Sequence, residues 1–195
     1  MTESSHRAAR LICLAILIVC SPFLESQAVA SSSDWKTVLR SHLPLYGHRN
    51  WIVIADSAFP AYAEPGIETI VANDELVSVL QYVAANISAS RHVRATVFLD
   101  KEIEFVGERD YPGVSALRRK IATTFAVDQV SSTPHSEVMR TISEAGAIYR
   151  VLFIKTTGTI PYSSVYIRLD CGYMNDDVER KIRNAMAASG DRKAK

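Results

Sequence analysis

Short apolar runs that alternate with helix-patterned stretches restrict this chain to few folds. The clearest is Trp51-Ile52-Val53-Ile54-Ala55, with His48 before it and Asp56 at its end. It reads as a buried strand, because aromatic and β-branched residues without a polar break suit a pleated surface held away from water. Residues 94–99, 148–157 and 163–170 read as further strands, and 67–72 as a short one. Between them, Leu76, Val79, Leu80 and Val83 recur at helical spacing behind Asn73-Asp74, which predicts a capped helix. Residues 113–126 and 132–145 read as helices too, the second with Thr133 as N-cap, Pro134 in its first turn and Glu137 completing a capping pattern. A front helix carries Trp35, Val38, Leu39 and Leu43, with Ser33 or Asp34 as cap and Pro44 near its end. Strands alternating with helices define a single α/β domain with a central, mainly parallel sheet flanked by helices. The last two strands, joined only by residues 158–162, are expected as an antiparallel edge pair.

Composition narrows the function. The 195 residues are 48% hydrophobic and 22% charged, with a formal net charge of +1. That suits one domain with a proper core, and it offers no basic stripe to nucleic acid. Arg7 and Arg10 precede an apolar run of about 14 residues, shorter than the roughly 20 that span a bilayer. Ala28-Val29-Ala30 then supplies a cleavage site, so residues 1–30 read as a secretory signal peptide. An exported chain (periplasmic or secreted) is expected from Ser31, without stable membrane insertion after cleavage. Cys13 and Cys20 leave with the signal, and Cys171 alone forms no intrachain disulfide. The folded domain is expected over 31–174, with 175–195 a polar helix and tail.

No GxGxxG, Walker A or GxSxG motif occurs, and the histidines lack metal-ligand spacing, so neither cofactor nor metal is expected. What remains is a set of polar residues at element ends: His48, Asp56, Asp100, His135 and Tyr162. Asp100 and Glu102 close one strand on the side where Asp56 closes another, the place where ligands of open α/β sheets gather.

Two stretches carry a likeness. GHRNWIVIADSAFPAY (47–62) resembles the signature of the D-ribose pyranase and L-fucose mutarotase family: Gly-His, a short apolar strand, then Asp-Ala-x-Phe/Leu-Pro. TTGTIPYSSVYIRLDCG (156–172) resembles that family's Gly-Glu-x-x-Pro-Tyr-x-Asn-Ile-x-Leu-x-x-Gly segment. With the helix before the first motif, the likeness covers residues 35–174. It implies the family's fold, a free monosaccharide as ligand, and catalytic positions at His48, Asp56 and Tyr162. Ser164 stands where the family has asparagine, and Gly158-Thr159 replaces Gly-Glu. His135 is the nearest counterpart of a further family histidine. Ser164, His135 and Asp100 are therefore expected to bind substrate.

The residue types suit the chemistry the resemblance implies. Interconverting anomers and ring forms opens a hemiacetal, with a base at the anomeric hydroxyl and an acid at the ring oxygen. Imidazole, which ordinarily titrates near pH ~6.5, serves in either role. No cofactor is required. At about 3.3 Å per extended residue, His48 and Asp56 lie roughly 20 Å apart at opposite ends of their strand. One sugar reached by both must then sit between subunits, as in the family's ring-like oligomers, and a homo-oligomer is expected. The alternative is a sugar- or small-molecule-binding protein on the same fold, its turnover lost with the change at Ser164.

Overall fold

The computed structural model describes residues 35–126 and 129–193. The signal segment 1–30 and the caps Ser33 and Asp34 lie outside them. Among the described residues no helix is long and apolar enough to cross a membrane. In chain order the elements are α1 (Trp35–His42), β1 (Trp51–Ala55), β2 (Ile67–Val71), α2 (Leu76–Ala89), β3 (Val93–Asp100), α3 (Val114–Thr124), β4 (Val130–Thr133), α4 (His135–Gly146), β5 (Val151–Lys155), β6 (Val165–Cys171) and α5 (Asp176–Lys193).

The strands form one six-stranded sheet in the order β2-β5-β1-β6-β3-β4. β1 pairs in parallel with β5, β5 with β2, and β3 with β4. β6 runs antiparallel to both β1 and β3, with Val53 opposite Tyr166 and Val97 opposite Ile167. Five strands therefore share a direction, and the mainly parallel sheet expected from the sequence is present. The expected edge pair of the last two strands is not. β6 crosses past β1 and sits at the centre, since Val165, Tyr166, Ile167 and Leu169 are buried and an edge would leave them half wet.

Alternation along the strands builds a core on each face. Ile52 and Ile54 of β1 face Trp35, Leu39, Leu80, Val83 and Ile121 from α1, α2 and α3. Trp51, Val53 and Ala55 face Val138 and Ile142 from α4, together with Phe153 and Tyr166.

Helix starts depart from the sequence reading in instructive ways. Thr133 is the last residue of β4, not a cap, because a residue before proline is pushed toward extended backbone. α4 begins after Pro134, and the Glu102 carboxylate accepts the His135 backbone N–H at 3.1 and 3.0 Å. Asp74 does not cap α2 with its side chain; its Oδ2 accepts the indole N–H of Trp35 at 2.9 Å. Gly113 precedes α3 with φ +96°, and Glu108 accepts its N–H and that of Ser115 at 2.6 and 2.9 Å. Gly66 lies against α4, where a Cβ would stand 2.2 Å from the carbonyl oxygen of Gly146.

Candidate active site

The parallel strands β1 and β3 end side by side around β6, and each ends on an aspartate. At the end of β1, Asp56 folds back on its own chain: Oδ1 accepts the Ala58 N–H at 3.0 Å. Oδ2 accepts the Ser164 hydroxyl at 3.1 Å, and the Ser164 oxygen accepts the Asp56 N–H at 3.2 Å. Ser164, expected to touch substrate, is buried and holds Asp56 instead.

At the end of β3, Asp100 is 1% exposed. Its Oδ2 accepts the Tyr166 hydroxyl at 3.2 Å, and its Oδ1 stands 3.1 Å from Nδ1 of His135. Burial pushes the Asp100 carboxyl above the usual carboxylate range, against the pull of His135 and the Tyr166 hydroxyl. Burial, then the charge of Asp100, pushes the Tyr166 phenol up. Asp100 thus lies behind His135, on which the open ring surface falls.

His135 opens α4, its backbone tied to Glu102 and its ring edge-on to Tyr162 at 5.4 Å and 80°. Tyr162 follows Pro161 with φ +56°, a left-handed conformation that an aromatic residue rarely adopts. That turn presents the ring to solvent. Asp56, Asp100, His135, Tyr162, Phe59 and Tyr111 are among the walls of one cleft of about 380 Å³. An adjoining cleft of about 400 Å³ shares Thr159, but carries Glu75 and Lys120 as its ionisable groups and no histidine. Among the described residues no group of three or more metal-ligating side chains converges.

His48 is elsewhere. It lies in the turn before β1, its Nε2 3.5 Å from Asp170 Oδ1 at the far end of β6. Asp170 also accepts from Thr96 at 2.6 Å and from Arg168, and these partners outweigh burial to hold its carboxyl below the usual range. Five of the six expected site residues therefore gather at one end of the sheet, and His48 stands half exposed at the other. His42 pairs with Glu68 at 2.8 Å, and His92 Nε2 contacts the carbonyls of Leu43 and Tyr46 at 3.2 and 3.1 Å. The sequence reading passed over Tyr166. Its signal was a phenol in an otherwise polar-alternating strand, where a buried hydroxyl needs a partner.

The fold and this end-of-strand cleft define a class: a single α/β domain with a mixed, mostly parallel sheet whose polar side chains collect where the parallel strands end. Within that class the particular fold is the one the two motifs resemble, that of D-ribose pyranase and its relatives. Bacillus subtilis RbsD, solved with D-ribose, superposes with a TM-score of 0.52 at 15% identity, over 71% of this chain and 94% of that one. The fucose mutarotase of Streptococcus pneumoniae, solved with L-fucose, gives 0.46 at 13% identity over 74% and 97%. FucU of Bifidobacterium longum gives 0.47 at 16% over 69% and 94%. No family model matches the chain, and no curated protein does.

Proposed function

We propose that the chain is a cofactor-free mutarotase or pyranase that interconverts anomeric or ring forms of a free monosaccharide by acid–base opening of the hemiacetal. The observation that carries this reading is the meeting of His135, Asp56 and Tyr162 around one cleft of monosaccharide size. The D-ribose held by the Bacillus subtilis protein supports the class of ligand.

The chemistry follows from the arrangement. His135 takes the proton of the anomeric hydroxyl while the O–H electron pair forms the C1 carbonyl and the bond from C1 to the ring oxygen breaks. The ring oxygen takes a proton from an acid on its other side, the place of the Tyr162 hydroxyl. Reclosure through the same oxygen on the opposite carbonyl face exchanges anomers; closure through a neighbouring hydroxyl exchanges pyranose and furanose. Asp56, held by Ser164 and its own turn, grips sugar hydroxyls. General acid–base catalysis of this kind contributes about 10²–10⁴-fold.

His48 enters only in an assembly. It is half exposed beside the Arg168–Asp170 pair, and we assign it to the cleft of a second copy in a homo-oligomer, outside the cytoplasm if the signal segment acts as read. Light scattering tests the assembly: a strictly monomeric protein removes His48 from the mechanism.

Magnetisation-exchange NMR with D-ribose, L-fucose, D-galactose and D-glucose tests the activity. Accelerated exchange of one sugar, lost in His135→Ala, supports the enzyme. Binding of a sugar without acceleration would establish a binding protein on this fold instead.

A further inference from the structure

Two buried polar atoms stand 3.1 Å apart, Oδ1 of Asp100 and Nδ1 of His135, and neither makes a well-angled hydrogen bond, to each other or to any other described residue, so a small turn of the imidazole is all that separates them from one. A carboxylate at a strand end that is 1% exposed is costly to keep, and an apolar side chain would fill the same place without that cost. Each neighbouring bond restricts the pair further. The Tyr166 hydroxyl occupies Oδ2, so only Oδ1 is left for the imidazole. Glu102 holds the backbone N–H of His135, so the ring swings from a fixed base. Nδ1 is buried while His135 still lines the cleft, so the ring atoms that meet a ligand are those on the Nε2 side.

We propose that Asp100 is a positioning residue for His135: it accepts from Nδ1–H, fixes the neutral imidazole in that tautomer, and leaves the Nε2 lone pair aimed into the cleft. Tyr166, Asp100 and His135 then form one chain of hydrogen bonds running from the sheet core to the site. Asp100 stands at the back of the cleft, 1% exposed, and works through the ring in front of it. It acts by deciding which ring nitrogen can take a proton from the sugar. The kinetic consequence rests on the mutarotase reading; the tautomer does not.

Asp100→Asn separates the roles with little change of volume. Tyr166 donates to whichever oxygen it meets, so it pins the amide oxygen and turns the amide NH₂ toward Nδ1. The amide then donates where the carboxylate accepted, and the ring proton moves to Nε2. Nitrogen-15 spectra of the imidazole, taken on the full chain, read this directly. The expected result is Nδ1–H in the wild type and Nε2–H in D100N. Exchange of the accelerated sugar falls by about 100-fold or more while sugar binding changes little. A wild-type spectrum showing Nε2–H overturns the proposal, as does a D100N protein with unmoved ring proton and wild-type rate. Should D100N fail to fold, the wild-type spectrum decides alone. Should the wild type accelerate no sugar, the mutarotase reading falls while the spectrum still judges the pairing.

Discussion

Replacing Tyr166 with phenylalanine removes one oxygen from the centre of the molecule and tests how the site is held. Tyr166 is fully buried, and its ring packs near Phe59 at a centroid distance of 6.2 Å, contacts that phenylalanine keeps. The loss is confined to the hydroxyl that donates to Asp100 Oδ2 at 3.2 Å. A hydrogen bond to a charged group is worth about 1.5–3 kcal/mol, and the acceptor left behind belongs to a buried carboxylate. For a domain of this size that corresponds to a fall in Tm of about 3–12 °C. The pH dependence follows from the sign of the shift. Burial raises the Asp100 carboxyl, so the folded chain keeps that proton to higher pH than the unfolded chain does. Stability therefore declines as pH rises through that interval. Without the Tyr166 donor the carboxyl rises further, so the deficit of the variant grows with pH and shrinks in acid. Thermal unfolding followed by circular dichroism across mildly acidic to mildly alkaline buffers measures it. A deficit below about 0.5 kcal/mol, or one equal at both ends, would refute a bond to an ionised Asp100.

Three further outcomes are expected. Ser164→Ala leaves both the N–H and Oδ2 of Asp56 without their shared partner, which costs about 1 kcal/mol in denaturant titration and slows sugar exchange more than it weakens sugar binding. Glu108 sits at about 2, held down first by the Gly113 N–H and then by the Ser115 N–H, against its ordinary 4.5. Its contribution is present above that ordinary value and lost as pH falls toward 2, so Glu108→Gln should flatten the acid limb of the stability curve by lowering the neutral plateau, with stability near pH ~2 close to that of the wild type. Gly66→Ala drives a methyl onto the Gly146 carbonyl oxygen, with 2.4 Å to that of Tyr149 as well; overpacking of this kind costs about 1–3 kcal/mol, and an unchanged Tm would show that the β2–α4 contact gives way freely.

Much of the architecture was legible because it rests on local chemistry. Burial of Trp51–Ala55, the helical spacing of Leu76 to Val83 and the breaks at Pro60 and Pro65 fix elements without reference to distant residues. The separation of His48 from Asp56 followed from strand rise alone. What the sequence hid depends on pairing between remote segments. Asp56 and Ser164 are 108 residues apart, so nothing local says that the serine is spent on the aspartate. The cap of α4 comes from Glu102, 33 residues before His135, and a pattern confined to the helix pointed to Thr133 instead. Asp100 was legible as a strand-end polar residue but not as a buried one, because the groups beside its carboxylate, Tyr166 and His135, arrive from two other elements.

β6 explains why these remote pairs converge. Residues 164–170 alternate strictly: Val165, Ile167 and Leu169 enter the core beneath α1, α2 and α3, while Ser164, Tyr166, Arg168 and Asp170 share the opposite face. That pattern is the mark of a half-solvated strand, yet β6 lies in the middle of the sheet, where a polar side chain left unpaired is expensive. Each polar residue on that face meets a carboxylate: Ser164 meets Asp56, Tyr166 meets Asp100, and Arg168 meets Asp170, which also faces His48. Running β6 against its neighbours sets its two ends at the two polar clusters, Asp56 and His135 at one and His48 at the other. A parallel strand in the same slot would present the same row of side chains in reverse, with Arg168 and Asp170 at the cleft and Tyr166 no longer beside Asp100. The reversal of this one strand therefore gives Asp100 its donor and Asp56 its serine, and puts the only other histidine–aspartate contact among the described residues a strand's length away.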